Sequence, residues 1–353
     1  MKKLLLAAVL TLVAYLAFWP VPIEPVAWTP PSAPPAEAYP ANERLRGIER
    51  LAEGYGRGGE GVAIDAQGRL HVGYDDGRIV RLDARGANPS VLANTGGRPL
   101  GLCFDPDGRL VIADALKGLL RLKEDGQIET LATSAEGLDF KLVDDADAVP
   151  GEPYIYFTDA SARFGIHEVM NDALEHRGSG RLLRYDIRSG ETLVLMRDLQ
   201  FANGVTLGPG AEYVLVNETT AYRIQRYWLK GEKAGTSEIL IDNLPGFPDN
   251  LSFNGRDRFW VALYAPRKRE LDAMAPYPWV RKVVARLPAF VQPRTALQGW
   301  VLGLDLDGKV VANLQYAGEG AFGPITSAEE QGDYLWLGTL SDTAVGRIPL
   351  KDL

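Results

Sequence analysis

The stretch GVAIDAQGRLHVGYDDGRIVRLD, Gly61 to Asp83, decides the fold. Three short apolar runs, around Val62, Leu70 and Ile79, are separated by turns that carry Gly68 and Gly77. Runs of period two broken by Asp-Gly turns are antiparallel hairpins. The phrase returns in GLCFDPDGRLVIADALKGLLRLKEDG, Gly101 to Gly126. Looser copies are DADAVPGEPYIYFTDAS with GRLLRYDIRSGE, then GVTLGPGAEYVLVNETTAYRIQRYWL, LSFNGRDRFWVALY and SAEEQGDYLWLGTLSDTAVGRIPL. Helical periodicity is nearly absent. Several strands per repeat, recurring about every forty residues or more, predict the blades of a β-propeller. A β-sandwich also uses many short strands, but it does not predict one phrase from end to end. The expected fold is therefore all-β, a six-bladed β-propeller over residues 45–353 with short helical insertions.

The inner strand of each blade should begin near one mouth of the central channel. The position two residues before its first buried residue holds, in order, Glu60, Leu100, Asp144, Asn203, Asp249 and Thr326, with Asn250 beside Asp249. These slots lie 40, 44, 59, 46 and 77 residues apart. The long gaps contain helical-looking insertions, FGIHEVMNDALEH near 164–176 and KRELDAMAPYPWVRKVVARL near 268–287. Three carboxylates brought to one mouth repel one another unless a cation sits among them. An all-oxygen set with no thiol or imidazole favours Ca²⁺, with Mg²⁺ and Mn²⁺ as alternatives. For any one slot, turn chemistry alone is a sufficient reason for Asp or Asn; the shared phase is what argues for a site.

The 353-residue chain is 46% hydrophobic and 24% charged, enough to bury a large core. Its net charge is −8 and its basic residues are scattered, which argues against a nucleic-acid partner and for a small molecule or a cation. Residues 1–19 join two lysines to an apolar run, the pattern of an export signal, read either as a cleaved signal peptide or as a signal anchor tethering the chain to a membrane. Either sends the domain out of the cytoplasm, into the periplasm of a bacterium. Residues 20–44 are Pro-rich and read as an extended tether. The single cysteine, Cys103, excludes internal disulfides and reads as a small buried apolar residue. Nothing in the sequence fixes the oligomeric state.

The phrases RPLGLCFDPDGRLVIADALKGLLRL, YIYFTDAS, GRLLRYDIRSGETLVLMRDLQFANGVTL and LPGFPDNLSF resemble the strictosidine synthase-like proteins. That group takes in adipocyte plasma membrane-associated protein and belongs to the wider regucalcin, gluconolactonase and paraoxonase superfamily of six-bladed propellers. The resemblance spans about residue 45 to the end, and the anchor followed by WPVP is similar to membrane-associated members. It implies central metal ligands at Glu60, Asn203, Asp249 and Asn250, with Asp144 where the hydrolases often carry Asn. It also implies metal-dependent hydrolysis of small esters or lactones. Two positions depart from the pattern. Leu100 stands where paraoxonases place a histidine, and Thr326 stands where strictosidine synthase has its catalytic glutamate, which argues against alkaloid condensation.

Under the hydrolase reading, Asp249 is the expected catalytic carboxylate, taking a proton from a metal-activated water. Leu100, Thr326 and His167 are expected to line the substrate. His71 belongs to the strand alternation and reads as structural. His167 and His176 flank an insertion that can cover the mouth. No Gly-x-Ser-x-Gly elbow supports a serine nucleophile, and GYGRGGEG lacks the Lys-Ser/Thr of a phosphate loop. In the second insertion Trp279, Val280, Val283, Val284, Leu287 and Phe290 lie among basic residues, so that helix can face a substrate, a membrane or the blades. The alternative from another class is a non-catalytic propeller with a structural metal that presents its face to a ligand or partner.

Overall fold

Strands that alternate around tight turns pair readily with their sequence neighbours, and the described residues do so in six sheets. A computed structural model describes residues 1–288 and 297–353; Phe290 lies outside the described residues. Six four-stranded antiparallel sheets follow one another as the blades of a propeller, joined by a short hairpin at 134–139. The inner strands are Val62–Ile64, Pro99–Phe104, Val143–Asp147, Ala202–Leu207, Gly246–Phe253 and Ile325–Gln331. Inner strands are covered on both faces; all six residues of Ala202–Leu207 are buried. Outer strands such as Ser90–Asn94 contain no buried residue, so burial falls radially.

Blade 6 is closed from the other end of the chain. Its fourth strand is Glu49–Leu51, which pairs antiparallel with the strand Val345–Pro349. Arg347 sits opposite Glu49 and donates from Nη2 to its carboxylate at 2.6 Å. Joining the first and last strands in one sheet turns an open array into a ring.

The core lies between blades. Leu215, Phe259, Val261 and Leu302 are fully buried between blades 4 and 5, and Trp260, Val301, Ile325 and Leu335 are buried together between blades 5 and 6. Neighbouring inner strands do not pair, so their backbone groups need other partners. Side chains supply them. Asp145 Oδ2 accepts from Val205 N at 2.9 Å and Asp147 Oδ2 accepts from Leu207 N at 2.7 Å. Thr158 donates to Asn203 O, Asn217 to Asp249 O, Ser252 to Ala328 O, and Thr326 and Ser327 to Glu60 O.

Each inner strand starts at one mouth of the channel and each second strand ends there. Loops joining second to third strands therefore share that mouth, and both insertions are such loops. The first carries α2, Val169–Glu175; the second carries α3, Arg269–Met274, and α4, Pro278–Ala285. The Pro-rich segment is extended, as its prolines dictate, and lies across these helices. Ile23 is buried against Phe164 and Leu174, Val26 N donates to Glu175 O, and Trp28 N donates to Ala275 O. The Trp28 ring stacks on His176 at 4.0 Å, and Arg267 donates to Pro31 O at 2.7 Å.

The N-terminal run forms α1, Lys2–Phe18, with no buried residue. Among the described residues no helix is long and apolar enough to cross a membrane, so the expected anchor is not seen as a span. Seventeen residues at ~1.5 Å each reach roughly 25 Å, short of a ~30 Å hydrocarbon layer.

Candidate metal centre at the channel mouth

The slots read from the sequence meet around the axis, and all of them are buried. Their backbones approach closely because small residues follow them. A Cβ on Gly61 would fall 2.2 Å from Leu100 O, and one on Gly204 would fall 2.5 Å from Asn250 Cα and 2.6 Å from Asp249 O. The Gly after Glu60, Leu100 and Asn203 is thus a sequence signal for the axis: only glycine lets three of the six strands crowd there.

Asn250 Nδ2 donates to Glu60 Oε1 at 2.5 Å, while the Glu60 backbone carbonyl is held by Thr326 Oγ1 at 3.0 Å and Ser327 Oγ at 2.7 Å. Asn217 Nδ2 fixes Asp249 through its carbonyl at 2.5 Å. Three buried oxygens of this set have no hydrogen-bond partner among the described residues: Glu60 Oε2, Asn203 Oδ1 and Asn250 Oδ1. A buried oxygen without a donor costs about 1–3 kcal/mol, more when charged, and three of them lie together at this mouth.

The electrostatics agree. Burial pushes Glu60 up to about 7, against the attraction of Arg98 and the Asn250 hydrogen bond. Asp144 is raised well above the usual carboxylate range by burial, then by the charges of Glu60 and Asp145. Asp249 is raised likewise by burial, then by Glu60 and Asp144, with the Asn203 side chain offsetting part. Burial is the largest cause for all three, and the charge of Glu60 adds to it at Asp144 and Asp249.

Among the described residues, no three His, Cys, Asp or Glu side chains alone converge closely enough to hold a metal. The donor set here mixes three carboxylates with two amides, and Glu60 is turned onto the Asn250 amide rather than towards the other acids. Amide and carboxylate oxygens in a buried, anionic setting suit a hard cation that takes many oxygen ligands.

Leu100 belongs to an apolar collar with Ala115, Leu142, Ala160 and Phe201, against which Ile166, Val169 and Leu340 pack. Thr326 is fully buried and holds Glu60 through its carbonyl, a positioning contact. His167 does not join the collar: it is exposed on the outer side of the first insertion, beside the inward-packed Ile166. The turn that packs Ile166 and Val169, both partly buried, against the collar leaves His167 exposed. His176 is buried, in a left-handed conformation with Nε2 at 3.0 Å from Thr220 O and its pKa lowered chiefly by burial. His71 packs edge-on to Phe104 with Nε2 3.9 Å from Asp65, a structural placement.

Sequence reasoning missed Arg98. It is buried, donates from Nη1 to Gly58 O at 2.9 Å and to Pro99 O at 3.3 Å, and its charge bears on Glu60 and Asp144. Its position two residues before the second slot was visible; its neighbours lie on another blade. A cavity of about 800 Å³ opens at the opposite end of the channel. Its walls include Asp145, Asp147, Glu329 and Asn250, but none of Glu60, Asp144, Asn203 and Asp249, so the orphaned oxygens mark the site better than cavity size does.

A strictosidine synthase profile matches residues 144–232, and a strictosidine synthase-like N-terminal profile matches residues 37–82. Strictosidine synthase-like protein 6 of Arabidopsis thaliana is 36% identical over 317 residues, covering 88% of this chain and 84% of that protein. The chain belongs to the strictosidine synthase-like family. Among solved structures, this strictosidine synthase-like protein is similar to a gluconolactonase of Xanthomonas campestris, with a TM-score of 0.62 and 16% identity over 92% of this chain and 96% of that one. It is also similar to the calcium-binding protein regucalcin of Agrobacterium tumefaciens, with a TM-score of 0.56 and 17% identity over 82% of each chain. At those identities the two neighbours establish the shared propeller fold.

Proposed function

We propose that this strictosidine synthase-like protein binds one divalent cation, Ca²⁺ by its donor chemistry, and hydrolyses esters or lactones of small apolar molecules at that mouth. The observation that carries the proposal is the set of partnerless buried oxygens on Glu60, Asn203 and Asn250, beside two carboxylates, Asp144 and Asp249, raised by burial and then by the charge of Glu60. Glu60, Asp144, Asn203, Asp249 and Asn250 would hold the ion. When bound, such an ion polarises a carbonyl oxygen and acidifies water. The calcium-binding and gluconolactonase neighbours share this propeller and are consistent with the assignment.

The chain's own residues divide the remaining work. Asp249, raised by burial and then by its acidic neighbours, is the carboxylate assigned to accept a proton from water. Asn250 and Thr326 hold Glu60 in place. Leu100, Phe201 and Ala160 form an apolar wall that excludes bulk water and suits the hydrocarbon part of a substrate. Arg98 supplies positive charge beside Glu60, where it can steady a developing anion.

The test is a screen of lactones and aryl esters with the full chain, with and without chelator. Saturable turnover that chelator abolishes and that falls at least about a hundredfold in Asp249→Asn supports the assignment, since removing a positioned base typically costs 10²–10⁴-fold. Turnover unchanged in Asp249→Asn, or none across the panel with Ca²⁺ bound, overturns the catalytic part.

A further inference from the structure

The second insertion is chemically unlike the rest of the chain. Residues 266–287 hold six basic residues, Arg267, Lys268, Arg269, Arg281, Lys282 and Arg286, against two acids, Glu270 and Asp272, while the whole chain carries −8. Arg267 is paired with Asp272, and Arg281 is spent on the carbonyls of Leu174, Glu175 and Val26. Lys268, Arg269 and Lys282 make no ion pair among the described residues, and Arg269 is exposed. Beside them Tyr277 is 54% and Trp279 is 69% exposed. The opposite side of α4 is where Val284 and Ala285 pack with Ile23, Phe164 and Leu174. One side of α4 thus docks on the protein; the other carries Trp279 and, one turn on, Lys282, with the exposed Tyr277 just before the helix and the unpaired Lys268 and Arg269 at the start of α3.

A second apolar element ends at the same place. Helix α1 is apolar along its length and exposed along its length, from Leu4 at 76% to Phe18 at 82%. A helix that is hydrophobic all round belongs in an apolar surrounding, not in water. Its end is clamped to the end of α4. Arg286 donates to Leu16 O at 2.9 Å and to Trp19 O at 2.6 Å, and Tyr15 Oη donates to Arg286 O at 3.0 Å. Whatever receives α1 therefore lies against the insertion as well.

We propose that the second insertion is a membrane-contacting surface that seats the metal-bearing mouth of the propeller on anionic lipid, with Tyr277 and Trp279 at headgroup depth and Lys268, Arg269 and Lys282 facing phosphates. Amphipathic rings lodge at that depth because one end is apolar and the other wet, and basic residues near an anionic leaflet add attraction that salt screens. The contact is distinct from α1, which supplies an apolar insert but no basic face beyond Lys2 and Lys3 at its far end. It is also independent of whether the mouth is catalytic.

The experiment uses the full chain carrying Trp279→Cys or, separately, Tyr277→Cys, labelled with an environment-sensitive fluorophore; Cys103 is buried and does not compete. Ile239→Cys, on an exposed outer strand, is the control position. On phosphatidylcholine vesicles containing phosphatidylglycerol, the labels at 277 and 279 should shift to the blue and brighten severalfold while the label at 239 stays unchanged. The added substitutions Lys268→Glu, Arg269→Glu and Lys282→Glu should return the first two labels to their aqueous signal. Labels that stay aqueous on vesicles with which the chain sediments overturn the proposal, as does failure to sediment with anionic vesicles. A label signal insensitive to the charge reversals removes the anionic-lipid basis. A blue shift that appears without lipid and grows with protein concentration identifies a second copy of the chain as the occupant and overturns it equally.

Discussion

Replacing Glu60 by glutamine should change stability in opposite directions with and without a cation. The side chain keeps its shape, and Oε1 can still accept from Asn250 Nδ2. What it loses is a charge held in a site where burial raises the pKa from 4.5 to about 7. The folded state therefore keeps a proton that the unfolded chain releases between those two values. Stability is full below the lower value, declines as pH rises towards the upper one, and above it the whole cost of ionising Glu60 is felt. A shift of this size corresponds to about 3 kcal/mol. At pH 8 in chelator, Glu60→Gln should thus raise the Tm, by on the order of 5 °C for a domain of this size. At pH 5 the difference should shrink to roughly a quarter of that. With saturating Ca²⁺ the order should reverse, because the variant has lost a charged ligand and with it the stabilisation that ligand binding confers. Differential scanning calorimetry at the two pH values, with chelator and with Ca²⁺, reads all four states. A variant destabilised in chelator by the same amount at both pH values would refute the reasoning, since Glu60 would then act only through its contacts.

The other predictions concern the same mouth and its cover. Cation affinity measured by titration calorimetry should rise steeply as pH passes through about 7, because Glu60 must shed its proton to ligate; a flat profile from pH 6 to 8 would speak against it. Gly204→Ala places a Cβ 2.6 Å from Asp249 O, so it should lower stability by roughly 1–3 kcal/mol of overpacking strain and weaken cation binding together; an unchanged binding isotherm would separate strand approach from ligand geometry. Ile23→Ala empties a fully buried position under the Pro-rich strap and should cost about 2–5 kcal/mol locally, read as loss of the Trp28 stacking signal on His176 in near-UV circular dichroism; a signal equal to wild type would show the strap held by its backbone hydrogen bonds alone.

What was legible in the sequence depended on local repetition. The phase of alternation alone placed Glu60, Asp144, Asn203 and Asp249 around one axis, because a strand of period two fixes which residue points inward once its first buried neighbour is known. The six blades followed from the repeated turns. The closing strand Glu49–Leu51 was not legible: three residues hold too little pattern, and their partner lies almost three hundred residues away. Arg98 escaped for a similar reason, since its contact with the charge of Glu60 crosses from one blade to the next. The prolines of residues 20–44 dictate extension but carry no record of where the segment lies, and only Ile23, Val26 and Trp28 meeting the inserted helices bring it onto the mouth. His167 and His176 looked equivalent in sequence. The turn into α2 exposes the first, and the left-handed residue at the end of that helix buries the second.

The measurement closest to the central claim is equilibrium dialysis of the full chain, stripped with chelator, against Ca²⁺. It would be run beside Asp249→Asn and Asn203→Leu, with circular dichroism to show that both variants are folded. One ion per wild-type chain is expected, with binding weakened at least tenfold in each variant. No bound ion, or binding that both variants retain unchanged, would contradict it.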